Sequence, residues 1–419
     1  MITHEPMKSA LPVLDRLCES YEAVFVGGCV RDALLGDEVT DVDIATSALP
    51  EQVMKLFTRT LPTGLQHGTV TVITEQGHFE VTTYRKESAY EGFRRPSKVE
   101  YIPSLTEDLR RRDFTINAMA MDREGRMIDP FGGQQDLEQR VIRCVGDPDA
   151  RLQEDALRML RGIRFAARLH ARMETGTWEA VLHHRALLRH IAMERVGVEL
   201  DKMIGGPDPD RACALLSESE LLHHTREPLA LSAKLDHSKI EGLSRLPDRD
   251  ARWVALSILA GMSSKEAGAM LRSLRYATRR ADGISAAVAF HQRMIASVEE
   301  ETTETTDRER WTRVIVEHGR EPAARWLEVL ASGMLPLPSF TVKGPPQQLQ
   351  QWLDELSPAT LQELAVSGHE IQKLLDRRPG PWMKPLLQQL LLEAALGRVD
   401  NTREALEQRA ISLNAKEQA

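Results

Sequence analysis

Four cysteines in 419 residues are too few for a disulfide scaffold. Cys18, Cys29, Cys144 and Cys213 show no CxxC spacing, and no histidine stands at a zinc-site distance from two of them. Reduced thiols in a cytoplasmic protein are the expectation. No run of about 18 apolar residues occurs, which argues against a membrane-spanning helix. The opening MITHEPMKSALPVL has no basic segment leading into a long apolar core, so no secretion signal is read there. A basic surplus is also missing: 54 Lys and Arg against 62 Asp and Glu leave a net charge of −8. Charge alone therefore does not point to nucleic acid. A basic patch can still sit in an acidic chain. Arg94–Arg95 with Lys98, Arg110–Arg112 and the arginines from 151 to 172 are the candidates.

What is present is an ordinary globular composition, 42% hydrophobic and 28% charged. The length exceeds one compact core and suggests roughly two to four domains. The first 145 residues alternate strands and helices. Ala23–Val26 reads as a strand ending at Gly27–Gly28, with a helix from Val30 to Leu35 after it. Asp41–Thr46 reads as a second strand, and Pro50 opens a helix to Thr58. His67–Thr74 and His78–Arg85 read as a hairpin, and Val141–Val145 as a further strand. Beyond Pro148 the pattern is helical, beginning with one helix from Gln153 to Leu169. The expected fold is an α+β head, a small mixed sheet with flanking helices, followed by an all-α neck, body and tail in an elongated multidomain chain. The borders are set at 1–145, 146–205, 206–300 and 301–419.

Asp41 and Asp43 stand two apart on the second strand, so their side chains leave one face. Two such carboxylates can hold one or two Mg²⁺ ions, which can activate a 3′-hydroxyl and stabilise a leaving pyrophosphate. A DxD alone is also what an acidic strand edge presents. Gly27–Gly28, between strand and helix, lets a triphosphate approach the backbone and the helix N-terminus. Arg31, one turn on, can reach the phosphates. Glycine could equally serve a tight turn there. The combination of GG, Arg and DxD in one strand–helix–strand unit is much stronger than any part. Glu80, on the strand Phe79–Val81, is a candidate third carboxylate or a solvent-facing strand residue.

In the helix around EDALRMLRGIRF, Asp155, Arg158 and Arg161 fall at i, i+3 and i+6 along one face, with Leu157, Leu160 and Phe165 on the core side. Arg164 and Arg168 extend the polar stripe. A solvated ion-paired face would look the same. The functional reading is a base reader. An Asp accepts from the amino group of cytosine or adenine while an Arg donates to the ring acceptor beside it. Uracil and guanine reverse that order, and mispaired groups in a dry pocket cost a few kcal/mol each.

At this point four stretches match a known family: VGGCVRDALLGDEVTDVDIAT, LTEDLRRRDFTINAMAMD, DPFGGQQDLEQRVIRCVGDP and RLQEDALRMLRGIRFAARL. The chain resembles the bacterial class II tRNA nucleotidyltransferases, a group that includes CCA-adding enzymes and bacterial poly(A) polymerases. VSGHEIQKLL followed by GPWMKPLLQQLLLEA resembles the family's tail. The resemblance implies Asp41 and Asp43 as metal ligands with Mg²⁺. It places Gly28, Arg31 and Arg112 against the nucleotide, Asp155 and Arg158 on the base, and Arg161 and Arg164 as further nucleotide contacts. It implies addition of C, C and A to the tRNA 3′ end from CTP and ATP, with A-only addition or poly(A) synthesis as alternatives and an inactive tRNA-binding module as a distant one. The stretch Lys86–Ser97 is full length, which argues against CC-only addition. No His-Asp dipeptide occurs, so no attached phosphohydrolase activity is expected.

Overall fold

The computed structural model describes residues 2–91, 95–236, 238, 240–299, 306–335 and 345–418. The chain divides into two compact units, Met1–Pro228 and Leu229–Ala419. The first opens with α1 (Glu5–Cys18), β1 (Ala23–Val26), α2 (Gly28–Leu35), β2 (Asp43–Thr46), α3 (Pro50–Leu56), β3 (Thr60–Gly64), β4 (Thr69–Thr74) and β5 (Gly77–Thr83). There follow β6 (Arg85–Glu91), β7 (Arg95–Tyr101), α4 (Leu105–Arg110), β8 (Ala120–Met121), β9 (Met127–Ile128), α5 (Gly133–Glu138) and β10 (Val141–Ile142). The unit ends with α6 (Pro148–Glu154), α7 (Leu157–Arg168), β11 (Arg172–Met173), α8 (Thr175–His184), α9 (Met193–Ile204) and α10 (Pro209–Ser219).

Seven strands form one mixed sheet in the order β3-β4-β5-β2-β1-β8-β9. Strands β2 and β5 run parallel; the other neighbours are antiparallel. Alternation sends Phe25 and Ile44 to one face, where they pack with Met7, Leu14 and Leu17 of α1. Val24, Val26 and Ala45 go to the other face, against Tyr84, Leu109 and Val145. A sheet buried on both faces needs apolar residues on both, and the all-buried AVFV of β1 is that pattern. Phe25 opposes Ile44 and Val26 opposes Ala120. The end of β1 and the starts of β2 and β8 therefore meet at one end of the sheet.

The structure corrects several element boundaries. Asp41 precedes β2, although the exposed–buried alternation of Asp41, Val42 and Asp43 already follows the strand. Residues 65–67 form a 3-10 turn ahead of β4. β10 is two residues long and pairs with β11, outside the main sheet. The 86–97 stretch lies in the β6–β7 hairpin, with residues 92–94 outside the described residues. The largest correction falls between 153 and 169. The expected single helix is two, because Asp155 leaves the helical region at φ −140°, ψ 103°. Its carboxylate caps the next helix by accepting from the Leu157 N–H at 3.1 Å. Asp155 is therefore not on one helix face with Arg158 and Arg161.

The second unit is helical: α11 (Arg249–Leu259), α12 (Ser264–Ser273), α13 (Thr278–Glu299), α14 (Asp307–His318), α15 (Arg320–Ala331), α16 (Pro346–Glu355), α17 (Gly368–Leu374), α18 (Met383–Ala395) and α19 (Arg403–Gln418). Capping boxes start three of these, Ser263 with Glu266, Thr306 with Glu309 and Ser367 with Glu370. Phe290, Trp311 and Trp326 pack ring to ring in its core at 5.5–5.8 Å. Among the described residues no helix is long and apolar enough to cross a membrane.

Candidate active site

The sheet end that carries Gly27 and Asp43 opens into a cleft of about 350 Å³. Its walls include Gly27, Gly28, Arg31, Asp43, Arg111, Arg112, Asp113, Asn117, Asp155, Arg158, Arg161, Phe165 and Arg195. Gly27 turns from β1 into α2 at φ +74°, a conformation that glycine adopts without strain. A β-carbon at Gly27 would stand 2.7 Å from Arg112 Nη1, so a larger residue there would push the Arg112 guanidinium aside.

Most of the arginines are already anchored. Arg31 is 4% exposed, pairs with Asp32 at 2.8 Å, donates to the Asn117 side-chain oxygen, and lies 5.1 Å from the Phe165 ring centre. Arg161 pairs with Asp113 at 2.6 Å. Burial alone would raise the Asp113 carboxyl. The Arg161 guanidinium overrides that, helped by the Asn117 side chain and Arg158, and holds it well below the usual carboxylate range. Arg112 lies 3.8 Å from Asp108, and its buried Nε has no hydrogen-bond partner. Burial lowers its pKa against the pull of Asp108.

Arg158 is 7% exposed. Its Nη1 donates to Glu154 at 2.6 Å and to the Arg151 carbonyl at 2.9 Å, and its Nη2 donates to the Arg111 carbonyl at 3.0 Å. Asp155 sits in the break between α6 and α7, bonded to the Leu157 N–H and to Arg195 at 3.0 Å. Asp155 and Arg158 share the cleft, but Arg195 is the ion-pair partner of Asp155.

Asp41, Asp43 and Glu80 line an adjoining cleft of about 910 Å³ with Glu5, Thr40, Thr63, Thr71 and His78; no lysine or arginine lines it. Asp43 belongs to both clefts. Glu80 is its register partner across the parallel β2–β5 pair. Lost hydration raises the Asp43 carboxyl; Arg112 opposes this, and the like charges of Glu80 and Asp41 reinforce it. A hard cation relieves that repulsion, and carboxylate oxygens are the donors Mg²⁺ takes. Among the described residues no cluster of three or more His, Cys, Asp or Glu has metal-holding geometry. A pair of carboxylates fits an ion whose other ligands are substrate oxygens and water.

The structure thus gathers Gly28, Arg31, Asp43, Arg112, Asp155, Arg158 and Arg161 around one cleft and puts Asp41 and Glu80 beside it. Arg164 lines neither: it pairs with buried Glu199 at 2.6 Å and lies 4.2 Å from the Phe165 ring centre. Arg168 reaches Asp32 at 3.1 Å. Sequence reasoning missed Asn117 and Arg195. Asn117 lies within the matching RRDFTIN segment and was open to recognition. Nothing local marks Arg195, which arrives from 40 residues beyond Asp155.

The chain matches known proteins along most of its length. A family described as the poly A polymerase head domain matches residues 23–143. One described as a probable RNA and SrmB-binding site of polymerase A matches 172–229. A third, tRNA nucleotidyltransferase domain 2 (putative), matches 244–410. A CCA-adding enzyme from Geobacillus sp. (strain WCH70) is 40% identical over 416 residues, 98% of each chain. One from Geobacillus stearothermophilus is 36% identical over 406 residues, 96% of each chain. The crystal structure of the Bacillus stearothermophilus CCA-adding enzyme in complex with CTP superposes with a TM-score of 0.82 at 33% identity, covering 99% of both chains. With near-complete coverage at these identities, and the family resemblance read from four motifs carried through the whole chain, the protein belongs to the tRNA nucleotidyltransferase family that contains the CCA-adding enzymes.

Proposed function

We propose that this chain adds C, C and A in turn to the 3′ end of tRNA, taking CTP and ATP, using no template and releasing pyrophosphate. The observation that carries the proposal is one cleft with arginines along its wall, Asp155 and Arg158 within it, and Asp43 at its border with an acidic second cleft. Arg31, Arg112 and Arg161 offset the triphosphate charge beside the Gly27–Gly28 turn. Asp155 and Arg158 read the base by its amino group and ring acceptor. Because Arg158 is bonded on three sides, it reads without reorganising.

The accepting ribose approaches from the acidic side of Asp43. There its 3′-oxygen faces the α-phosphate, the new O–P bond forms, and the bond to pyrophosphate breaks in line. Asp41 and Asp43, with Glu80 beside them, are the residues that would hold Mg²⁺, which supplies charge neutralisation at the attacking and leaving oxygens. Residues 1–145 carry the chemistry and 146–205 the base reading. The segments 206–300 and 301–419 grip the tRNA by shape and backbone. A tRNA substrate and four unpaired cysteines fit a cytoplasmic site of action.

The test uses three tRNA transcripts, ending at the discriminator base, at C and at CC, each with Mg²⁺ and CTP, ATP, both, UTP or GTP. The bare transcript should gain CC from CTP alone and CCA from both. Extension of only the CC-ended transcript by one A, or a long ladder of A, would overturn the proposal.

A further inference from the structure

We propose that Arg195 is a third member of the base reader, orienting Asp155 through one guanidinium nitrogen and donating through the other to the incoming base. This rests on the reading of Asp155 and Arg158 as base readers. Arg195 stands in the first turn of α9 and lines the nucleotide cleft. Its Nη2 donates to Asp155 Oδ2 at 3.0 Å, while Asp155 Oδ1 accepts from the Leu157 N–H. A carboxylate held at both oxygens keeps one orientation, and its remaining lone pairs are left for a ligand amino group.

Arg195 Nη1 is buried and has no hydrogen-bond partner among the described residues. A buried donor left unpaired is costly, so a ligand acceptor at that point is favoured. Arg158, by contrast, spends three bonds on its own surroundings. The other such orphan in the cleft, Arg112 Nε, belongs to the guanidinium that crowds Gly27, at the triphosphate end. The acceptor that suits Arg195 lies beside the amino group taken by Asp155, N3 or O2 of cytosine and N1 of adenine, and Arg195 shares that edge with Arg158. Uracil and guanine present a ring N–H and a carbonyl in those places. The Arg195–Asp155 pair therefore repels both, and the penalty falls on base identity and not on triphosphate affinity.

The experiment measures kcat/KM for CTP and UTP on the bare transcript, and for ATP and GTP on the CC-ended one. It compares the full-length protein with Arg195→Met, Arg195→Lys and Asp155→Asn, with melting temperatures recorded for each. Arg195→Met should lower CTP and ATP use about 10- to 100-fold and leave UTP and GTP misincorporation nearly unchanged, so discrimination falls at least about tenfold. Arg195→Lys should recover part of that discrimination. An equal loss for all four nucleotides would overturn the inference, since it would mark a phosphate contact or a purely structural role. Intact discrimination in Arg195→Met with discrimination lost in Asp155→Asn would sink Arg195 alone. Intact discrimination in both would sink the base-reader reading itself.

Discussion

The two clefts that meet at Asp43 differ in the sign of their charge and in how that charge is held. In the cleft proposed for the nucleotide, arginines are tied to acids: Arg161 to buried Asp113, Arg158 and Arg31 to half-buried Glu154 and Asp32. On the other side, Asp41, Asp43 and Glu80 have no lysine or arginine among the lining residues. Fixed cations suit a ligand that arrives fully charged, since they need no reorganisation. Unpaired anions suit a site that is completed by a cation and a neutral hydroxyl. One strand residue, Asp43, lines both clefts, as the proposed transfer between a triphosphate and a hydroxyl requires.

The comparison is broken most completely by Asp41→Ala with Asp43→Ala. Removing the carboxylate pair should reduce nucleotide incorporation by roughly 10³-fold or more, about 4 kcal/mol of transition-state stabilisation. Binding of tRNA, read by gel shift, should survive. Substantial residual turnover would show that the acidic cleft is not the chemical centre.

Arg161→Met strikes the other side. It leaves Asp113 buried with hydrogen bonds from Asn117 and the Phe114 N–H and only the more distant charge of Arg158 to offset its own. A cost of about 3 kcal/mol is expected, the low end for a broken buried pair. That is on the order of 8 °C in the melting of the first unit. Asp113 has its pKa depressed in the fold, so this contribution is present at neutral pH. It is lost as pH falls through and below the unfolded value of about 3.9. The gap between wild type and variant should therefore close in acid; a gap independent of pH would assign the loss to packing.

Glu80→Gln is the finest probe. If Glu80 adds to the field on a bound cation, the Mg²⁺ concentration for half-maximal rate should rise about five- to tenfold, roughly 1 kcal/mol. An unchanged Mg²⁺ requirement would make Glu80 a sheet residue only.

Much of this was legible from the chain. The β1–α2–β2 unit announced itself because strand, glycine turn, helix and DxD are all local, and local order is what periodicity reports. Glycine and proline mark several helix ends directly: Gly205–Pro207 follows α9, Pro247 precedes α11 and Pro379–Pro381 lies between α17 and α18. The break at Asp155 did not show, since no glycine or proline marks it and Ala156–Leu157 continues the helical pattern. What opens it is a side chain capping its own backbone and an arginine arriving from α9. Likewise the β10–β11 pair and the wall formed by Asn117 and Arg195 depend on partners distant in sequence, which no window on one segment contains.

Arg158 carries a further consequence. Its guanidinium grips the Arg111 carbonyl, from the segment after α4, and the Arg151 carbonyl, from α6. The group that the proposed function sets against the base is thus also a rivet between α6 and the segment after α4. Drift at position 158 would loosen the joint before it could explore a new base, so selection on folding guards the specificity for free. On the proposed base-reading role, a lineage, or an engineer, seeking a different nucleotide has its more open route through Asp155 and Arg195, whose bonds hold only the break between α6 and α7 and its tie to α9.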